Sequence, residues 1–348
     1  MVAAGRSRPR GTVARRARGL RRSPPLARLR GSPATPVRGR CDHASMTVKR
    51  PLTLMTVHAH PDDETIGTGG VMAKAVATGH RVVLVTGTRG EQGEIVVKEM
   101  DTPENHRRLG EIRAAELEAA MGELGVTEWE NLGYRDSDMM GREGNLDPRT
   151  YWQADVDEAA GRLTWLVRRY QPDVITTYNS FGGYGHPDHI RTHDVAIRAF
   201  DRAGDPAWYP KQLEGGLTTW APSKLYETAI PASVREAMSE AMKAAGKPSF
   251  WDPPEDATEE QRREQEEFVA KMLVPDEKIT TWVDISGDPI DRKWRAIQRH
   301  VTQIAMDSGF MVFGEEGWKE HWAKEAFILR ESRVESAIPE DDLFAGLS

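Results

Sequence analysis

Apolar positions along this chain fall into short uninterrupted runs that alternate with stretches of helical spacing. Uninterrupted apolar runs are typical of parallel strands covered on both faces. Four such runs are predicted strands: 52–58, 81–86, 129–132 and 172–178. Between them, apolar residues three and four positions apart predict three helices: 67–79, 103–124 and 153–170. The alternation predicts an α/β fold, a Rossmann-like parallel sheet flanked by helices.

The second half of the chain has a less regular pattern. Its predicted strands are 224–230 and 280–286, and its predicted helices are 232–246, 258–272 and 288–306. We therefore expect a catalytic core over 46–204 and a smaller, irregular C-terminal part over 205–335, which completes the sheet and the substrate pocket. The tail, 336–348, is expected to be loose.

Charge separates the first 45 residues from the rest of the chain. They contain twelve Arg and one acid, Asp42, and so sum to about +11, which leaves about −18 for 46–348 because the whole chain carries −7. A basic leader rich in Pro, Gly and Ser, without a periodic apolar face, is predicted to be disordered. We expect it to be dispensable, with Met46 as the functional start. An acidic remainder repels nucleic acid, so no nucleic-acid partner is expected.

Cysteine content and hydropathy indicate the cellular compartment and the absence of a membrane span. Cys41 is the only cysteine, so the sequence offers neither a disulfide framework nor a thiolate metal site, which suits a cytoplasmic protein. No run approaches the roughly 18 apolar residues of a membrane span, so no membrane partner is expected. The oligomeric state is left open.

Two compact His/Asp clusters carry the candidate chemistry. His60-Pro-Asp-Asp-Glu64 follows the first predicted strand, and His186-Pro-Asp-His189 comes shortly after the fourth. Ligands of parallel sheets bind beyond the carboxyl ends of the strands, which is where both clusters fall. Together they offer enough nitrogen and oxygen ligands for one divalent metal, with a carboxylate left for proton transfer. The competing interpretation is turn and helix-cap chemistry, which explains one such cluster more easily than two.

The sequence does not match two other common motifs, the phosphate-binding loop and the serine nucleophile elbow. Gly67-Thr-Gly-Gly70 has the wrong spacing for a phosphate-binding loop, and no Gly-x-Ser-x-Gly elbow is present. Isolated histidines are more often structural, and we interpret His58 and His300 in that way. The sequence thus favours a metal-dependent hydrolase.

His60-Pro-Asp-Asp-Glu64 and the distant Gly183-Tyr-Gly-His-Pro-Asp-His189 resemble the LmbE-like, or PIG-L, family of zinc-dependent N-deacetylases. The likeness runs from about Leu52 to Ala199. Within the family, three segments look most like the mycothiol branch: Thr88–Glu94, Tyr134–Ser137 and Gly182–His189. That branch contains the N-acetylglucosaminyl-inositol deacetylase and the mycothiol S-conjugate amidase. Thr65–Gly70 instead looks like generic family members.

The resemblance implies a role for each matching residue. His60, Asp63 and His189 match the ligands of one Zn²⁺ per chain, a set that Fe²⁺ would also suit. Asp62 matches the general base that becomes the general acid. His186, oriented by Asp188, and Tyr184 match the groups that steady the oxyanion. Three further residues match positions that line the substrate site: Arg113, Asp136 and Glu94.

These roles predict a metal-dependent amidohydrolase that removes the N-acetyl group of a small aminosugar, N-acetylglucosaminyl-inositol being the favoured substrate. Two alternatives stay open within the family: a mycothiol S-conjugate amidase, and a deacetylase of another N-acyl aminosugar in secondary metabolism. A third alternative, from a different class, is a metal-containing binding protein without turnover.

Overall fold

The computed structural model describes residues 50–247, 249, 251–254 and 256–347. The basic leader 1–45 and the expected start at Met46 lie outside these residues. The strands are β1 Thr53–His58, β2 Arg81–Thr86, β3 Glu128–Asn131, β4 Val174–Thr177, β5 Lys224–Pro231, β6 Leu273–Val274, β7 Thr281–Asp284 and β8 Lys324–Ser332.

Helices fill most of the connections between these strands. The first half contains α1 Asp63–Gly67, α2 Gly69–Ala77, α3 Pro103–Arg107, α4 Leu109–Leu124, α5 Val156–Tyr170, the single turn α6 Gly182–Gly185 and α7 Pro187–Arg202. The second half contains α8 Pro210–Glu214, α9 Ala232–Ala244, α10 Glu259–Met272, α11 Asp288–Ile297 and α12 Gly314–His321. Among the residues described, none of these helices has the length and apolar character needed to cross a bilayer.

The strands form one mixed sheet in the order β3-β2-β1-β4-β5-β8-β7, with β6 paired to the end of β5. The five strands from β3 to β5 are parallel, as predicted, whereas β8 runs antiparallel to both β5 and β7. Sequence analysis missed β8 because its apolar run, Ala326–Leu329, is only four residues long and is flanked by charged residues. The fold class is confirmed, with an antiparallel edge added to it.

Helices cover both faces of the sheet, because successive side chains of a strand point to opposite sides. Leu54 of β1 packs with α2, α4 and α11 on one face. Its neighbour Met55 packs with α5 and α7 on the other. A strand buried on both sides must be apolar throughout, which explains the uninterrupted run in the sequence.

The described part of the tail, 336–347, is packed, contrary to the expectation of a loose segment. Leu343 and Phe344 are buried in the core, and Glu340 is buried with its carboxylate paired to the Lys224 ammonium and the Tyr226 hydroxyl of β5. Burial alone would raise the pKa of Glu340, but the hydrogen bonds from these groups outweigh it and lower the pKa. The few apolar residues of the tail gave no periodic pattern from which this packing could be predicted.

Candidate active site

The two His/Asp clusters meet at the topological switch point of the sheet. From β1 the chain proceeds outward through β2 to β3 and then returns to place β4 on the other side of β1. The loops that leave β1 and β4 therefore diverge and open a crevice at the carboxyl edge. Residues 59–62 leave β1 on one side of it, and residues 178–186 leave β4 on the other.

The first loop is a tight turn held by its own carboxylates. The His60 N–H donates to Asp63 Oδ2 at 2.8 Å, and the Asp62 N–H donates to Glu64 Oε2 at 2.9 Å. Asp62 has φ 116°, in a region that non-glycine residues rarely adopt. Such a conformation persists only where the surrounding structure fixes it. It makes the side chain of Asp62 point in a different direction from the side chains of its neighbours.

The second loop depends on one glycine. Gly182 has φ +67°, and a Cβ there would lie 2.7 Å from Cβ of His189. Only glycine allows this close approach. The loop ends at His186, which caps α7, and Pro187 occupies the first turn of that helix. His189 is therefore held on a rigid element that faces the first loop.

Three side-chain atoms, one from the first loop and two from the first turns of α1 and α7, form a nearly equilateral triangle. His60 Nδ1 lies 3.4 Å from Asp63 Oδ2, Asp63 Oδ2 lies 3.3 Å from His189 Nε2, and His189 Nε2 lies 3.3 Å from His60 Nδ1. Zinc–ligand bonds of about 2.0–2.1 Å in tetrahedral geometry place neighbouring ligand atoms about 3.3–3.4 Å apart. The triangle thus has the dimensions of one face of a tetrahedral metal site.

Two further groups of possible ligand atoms share His60. His60, His186 and His189 form one, and His60, Asp136 and Asp188 form the other, with atoms within 4.8 Å of one another. The atoms of the triangle with Asp63 lie within 3.4 Å of one another, and the three residues are the ligands that the motif resemblance implies.

The negative surroundings of His60 also favour a cation. Its Nε2 lies 3.2 Å from Asp188 Oδ2, and Asp136 lies 3.9 Å away. Burial alone would lower the pKa of His60, but Asp136, Asp188 and Asp63 outweigh it and raise the pKa well above its ordinary value. An imidazole held through its second nitrogen by a carboxylate is typical of metal-binding histidines.

Asp188 therefore has a different contact from the one expected. Its carboxylate accepts from His60 and from both the N–H and the hydroxyl of Ser137. His186 is instead oriented by the main-chain N–H of Asp188, which donates to His186 Nδ1 at 3.1 Å. Asp188 thus contacts His186 as the resemblance implied, but through its backbone N–H and not through its carboxylate. The reason is that His186 is the N-cap of α7.

Asp62 lies beside the triangle without belonging to it. Its Oδ1 is 3.2 Å from Nη2 of Arg113. Burial, reinforced by the charge of Asp63, raises the pKa of Asp62 to about 6, although Arg113 acts in the opposite direction. A carboxyl group with a pKa near neutrality can both accept and return a proton within one turnover.

His186 and Tyr184 are candidate hydrogen-bond donors. Burial, and then the charges of His60 and His189, lower the pKa of His186 to about 3, so its imidazole is neutral. Because its Nδ1 accepts from the backbone, the single proton of that ring lies on Nε2. Tyr184 lies 3.4 Å from His189 Nε2 through its hydroxyl, and burial raises the pKa of Tyr184 well above its ordinary value. Both groups therefore keep a proton to donate.

The expected substrate-lining residues occupy different positions. Arg113 is buried, with Nη1 on the Gly90 carbonyl at 3.0 Å and Nη2 on the Pro61 carbonyl at 2.5 Å, so it also braces the first loop. Asp136 is buried near His60. Glu94 is exposed, and its carbonyl accepts from Gln303.

Sequence reasoning missed one buried pair beneath the first loop. His300 Nε2 lies 2.8 Å from Glu64 Oε1, and both side chains are inaccessible to solvent. The other oxygen of Glu64 holds the Asp62 N–H. His300 therefore has a structural role, as expected, and through Glu64 it supports the turn that carries Asp62. The only hint of this pairing in the sequence was the presence of Glu64 in the first motif. His58 is buried as expected, hydrogen-bonded to Thr68 and Tyr178.

Known proteins resemble this chain over most of its length. The family described as "PIG-L: GlcNAc-PI de-N-acetylase" matches residues 55–200. A 1D-myo-inositol 2-acetamido-2-deoxy-α-D-glucopyranoside deacetylase of Geodermatophilus obscurus is 42% identical over 301 residues, which cover 84% of this chain and 97% of the relative. A protein of the same name, numbered 1, from Catenulispora acidiphila is 41% identical and covers 87% of this chain and 91% of its own.

Solved structures share the fold at lower identity. The N,N'-diacetylchitobiose deacetylase of Pyrococcus horikoshii has a TM-score of 0.53 and 22% identity, over 80% of this chain and 83% of its own. The 4-carboxy-2-hydroxymuconate hydratase of Pseudomonas putida has a TM-score of 0.51 and 20% identity, over 82% and 99%. Since a deacetylase and a hydratase share this architecture, the fold alone does not identify the reaction.

Proposed function

Because the chain belongs to the PIG-L family of de-N-acetylases, we propose that it removes the N-acetyl group of 1D-myo-inositol 2-acetamido-2-deoxy-α-D-glucopyranoside with zinc held by His60, Asp63 and His189. The chain is a metal-dependent hydrolase that acts on an amide. The substrate is the one named for relatives about 40% identical over most of both chains.

One observation carries the proposal: three ligand atoms at 3.3–3.4 Å from one another, with Asp62 beside them and outside the set. A zinc ion bound there would polarise the acetamide carbonyl and lower the pKa of a water molecule. Every remaining requirement of amide hydrolysis is a proton transfer or a hydrogen bond that this chain's own side chains can supply.

Asp62 acts twice in the proposed reaction. It first accepts the proton of the attacking water, whose oxygen bonds to the acyl carbon. The same proton is then delivered to the nitrogen, the C–N bond breaks, and the amine leaves. The second proton of the water stays on the acetic acid formed and is lost to solvent as that acid ionises to acetate. A pKa of about 6 suits both steps, because neither protonation state is strongly disfavoured near neutral pH.

His186 and Tyr184 stabilise the negative charge that develops on the carbonyl oxygen. His186 offers Nε2–H because its Nδ1 is occupied by the backbone of α7. Donors already fixed in place need no reorganisation as the charge forms, which is the main source of such stabilisation.

The test is an assay of the purified chain reconstituted with zinc. Release of primary amine is measured with the inositol-linked acetylglucosamine and, in parallel, with a mycothiol S-conjugate. We expect kcat/KM to be clearly higher for the former, and a clear preference for the conjugate would overturn the choice of substrate. Parallel reconstitution with iron(II) under anaerobic conditions tests the metal: activity with iron alone would contradict the zinc assignment.

Cytoplasmic action forms part of the proposal. The support is the single cysteine of the sequence, which fits a compartment that keeps thiols reduced. Fractionation of producing cells should recover the deacetylase activity with cytoplasmic marker enzymes.

A further inference from the structure

A large apolar pocket opens beside the triangle of metal-ligating atoms. Its volume is about 570 Å³, within the range of about 300–1,000 Å³ usual for pockets that hold drug-sized ligands. Asp63, His189 and Tyr184 contribute to its lining, so the pocket is continuous with the site described above. Its apolar wall includes Ile66, Ile230, Val234, Met238, Met272 and Trp282.

Two of the charged groups on this wall, Glu325 and Lys293, are paired with each other. Glu325 pairs with the Lys293 ammonium at 2.7 Å and accepts the N–H groups of Gly70 and Val71 at 2.8 Å each. Both charged side chains are almost inaccessible to solvent. The pair therefore satisfies itself, and it requires no polar ligand in the pocket. An acetyl group offers one methyl to this space and leaves most of it unfilled.

The position of Asp62 determines which half of the substrate faces the pocket. An amide carbonyl carries an acyl group on one side and the amine on the other. Asp62 must reach the amine nitrogen to deliver its proton, so the sugar belongs on the side of Asp62, Arg113 and Asp136. None of these three residues lines the pocket. The acyl group must then point the other way, toward Ile66 and Thr228.

We propose that the pocket is an acyl-chain site, and that this chain hydrolyses not only the N-acetyl aminosugar but also N-acyl aminosugars with linear chains of about four to eight carbons, at least as efficiently as the acetyl compound. The reaction is the one already derived. Water adds to the acyl carbon, the C–N bond breaks, the amine takes the proton from Asp62, and a short-chain carboxylate is released. The inference rests on the proposed function and extends it to the acyl group.

The direct test is an acyl series on the same glucosaminyl-inositol: acetyl, butyryl, hexanoyl and octanoyl. Each methylene that leaves water is worth up to about fourfold in binding. We expect kcat/KM for the hexanoyl compound to equal or exceed that for the acetyl compound. A value below a tenth of the acetyl value would overturn the acyl-chain site while leaving the deacetylase function intact.

Gly67 allows the pocket to be blocked selectively. A Cβ at Gly67 would meet only Cε1 of His58 at 3.6 Å and Cγ2 of Thr228 at 3.9 Å, which are ordinary contacts. The larger side chain of Gly67→Leu would then have to extend into the pocket. We expect the hexanoyl-to-acetyl ratio of kcat/KM to fall at least tenfold. Thr228→Phe, which narrows the pocket from the facing strand, should act in the same way.

Gly122→Leu is the matched control. Gly122 is exposed on α4, and a Cβ there meets nothing within 4 Å. The same change at that position should leave the ratio unaltered. An unaltered ratio in both pocket variants, with thermal unfolding and metal content like those of the control, would overturn the proposal.

A binding measurement separates this inference from the choice of headgroup. Titration of the zinc-loaded chain with acetate and with hexanoate should show hexanoate binding at least tenfold more tightly, and Gly67→Leu should remove the difference. Equal affinities would overturn the acyl-chain site even if no aminosugar tested is a substrate. Inactivity toward every glucosaminyl-inositol, combined with tight hexanoate binding, would overturn the proposed function alone.

Discussion

The two ends of the active-site crevice are built in opposite ways. At the metal end, two short loops and the first turns of the helices after them supply the reactive side chains, which hydrogen bonds and ion pairs orient. At the pocket end, segments from 228 to 326 supply an apolar wall in which side chains are held by packing. Hydrogen bonds depend steeply on distance and angle, whereas apolar packing depends mainly on volume. Isosteric changes should therefore be severe at the metal end and mild at the pocket end.

Loss of a ligand should have the largest effect. His189→Ala removes one corner of the triangle, so the metal content of the purified variant should fall far below one ion per chain. Turnover should drop further than the roughly 10²–10⁴-fold expected from loss of acid–base catalysis alone. Elemental analysis and the amine-release assay measure the two quantities. Full metal loading in this variant would exclude His189 from the ligand set.

Asp62→Asn comes next, because it alters one atom and leaves the shape of the site intact. The amide cannot take the proton of water, so kcat should fall about 10²–10⁴-fold while metal content stays at the level of the unaltered chain. Near-normal turnover would contradict the general-base role. A parallel loss of metal would instead make Asp62 a ligand.

His186→Ala should reduce kcat by about 10²–10³-fold, the usual cost of removing one oxyanion donor. Metal content should not change, because the ligand triangle does not include His186. An unchanged kcat, measured at saturating substrate, would show that Tyr184 or the metal alone stabilises the oxyanion.

Asp188→Asn tests the carboxylate that supports His60. The variant keeps the shape of the side chain but loses the charge that accepts from His60 and Ser137. Metal affinity should weaken about 10–100-fold, the range seen for such supporting groups. Competition with a chelator of known affinity gives the value, and an unchanged affinity would remove Asp188 from the support of the metal site.

Met272→Leu at the pocket end should have the smallest effect. Met272 is buried in the pocket wall, and leucine nearly conserves its volume. The free energy of unfolding should fall by less than about 1.5 kcal/mol, with full metal loading. A larger loss of unfolding free energy in chemical denaturation, or a loss of metal, would mean that the pocket wall tolerates substitutions no better than the metal end. The contrast between the two ends would then fail.

The same contrast explains how much could be predicted from the sequence. The candidate site could be predicted at four residues, because each cluster is contiguous and follows a strand with a clear apolar run. These residues are His60, Asp62, Asp63 and His189. The parallel half of the sheet could also be predicted, because its strands have clear apolar runs. Local pattern is sufficient where the chain makes its contacts with nearby residues.

Long-range contacts left no such pattern. The pairing of Glu64 with His300 joins residues 236 positions apart, and nothing near His300 marks it as part of the catalytic turn. The pocket wall comes from separate segments that share no motif, and the packed tail depends on the pairing of Glu340 with Lys224. It could not be predicted that Asp188 contacts His186 through its backbone and His60 through its carboxylate, because sequence does not distinguish a side-chain contact from a backbone contact at a helix cap.

The position of β8 in the sheet also determines the order in which the crevice is completed during synthesis. All three residues of the ligand triangle have left the ribosome soon after residue 189, together with the parallel strands β1 to β4. The wall contributed by 320–326 and the tail that pairs with β5 follow much later. At roughly 5–20 residues per second, the interval is on the order of ten seconds. Until β8 is made, β5 is the open edge of the parallel sheet, so the chain holds all three residues of the ligand triangle before it holds the wall that faces them.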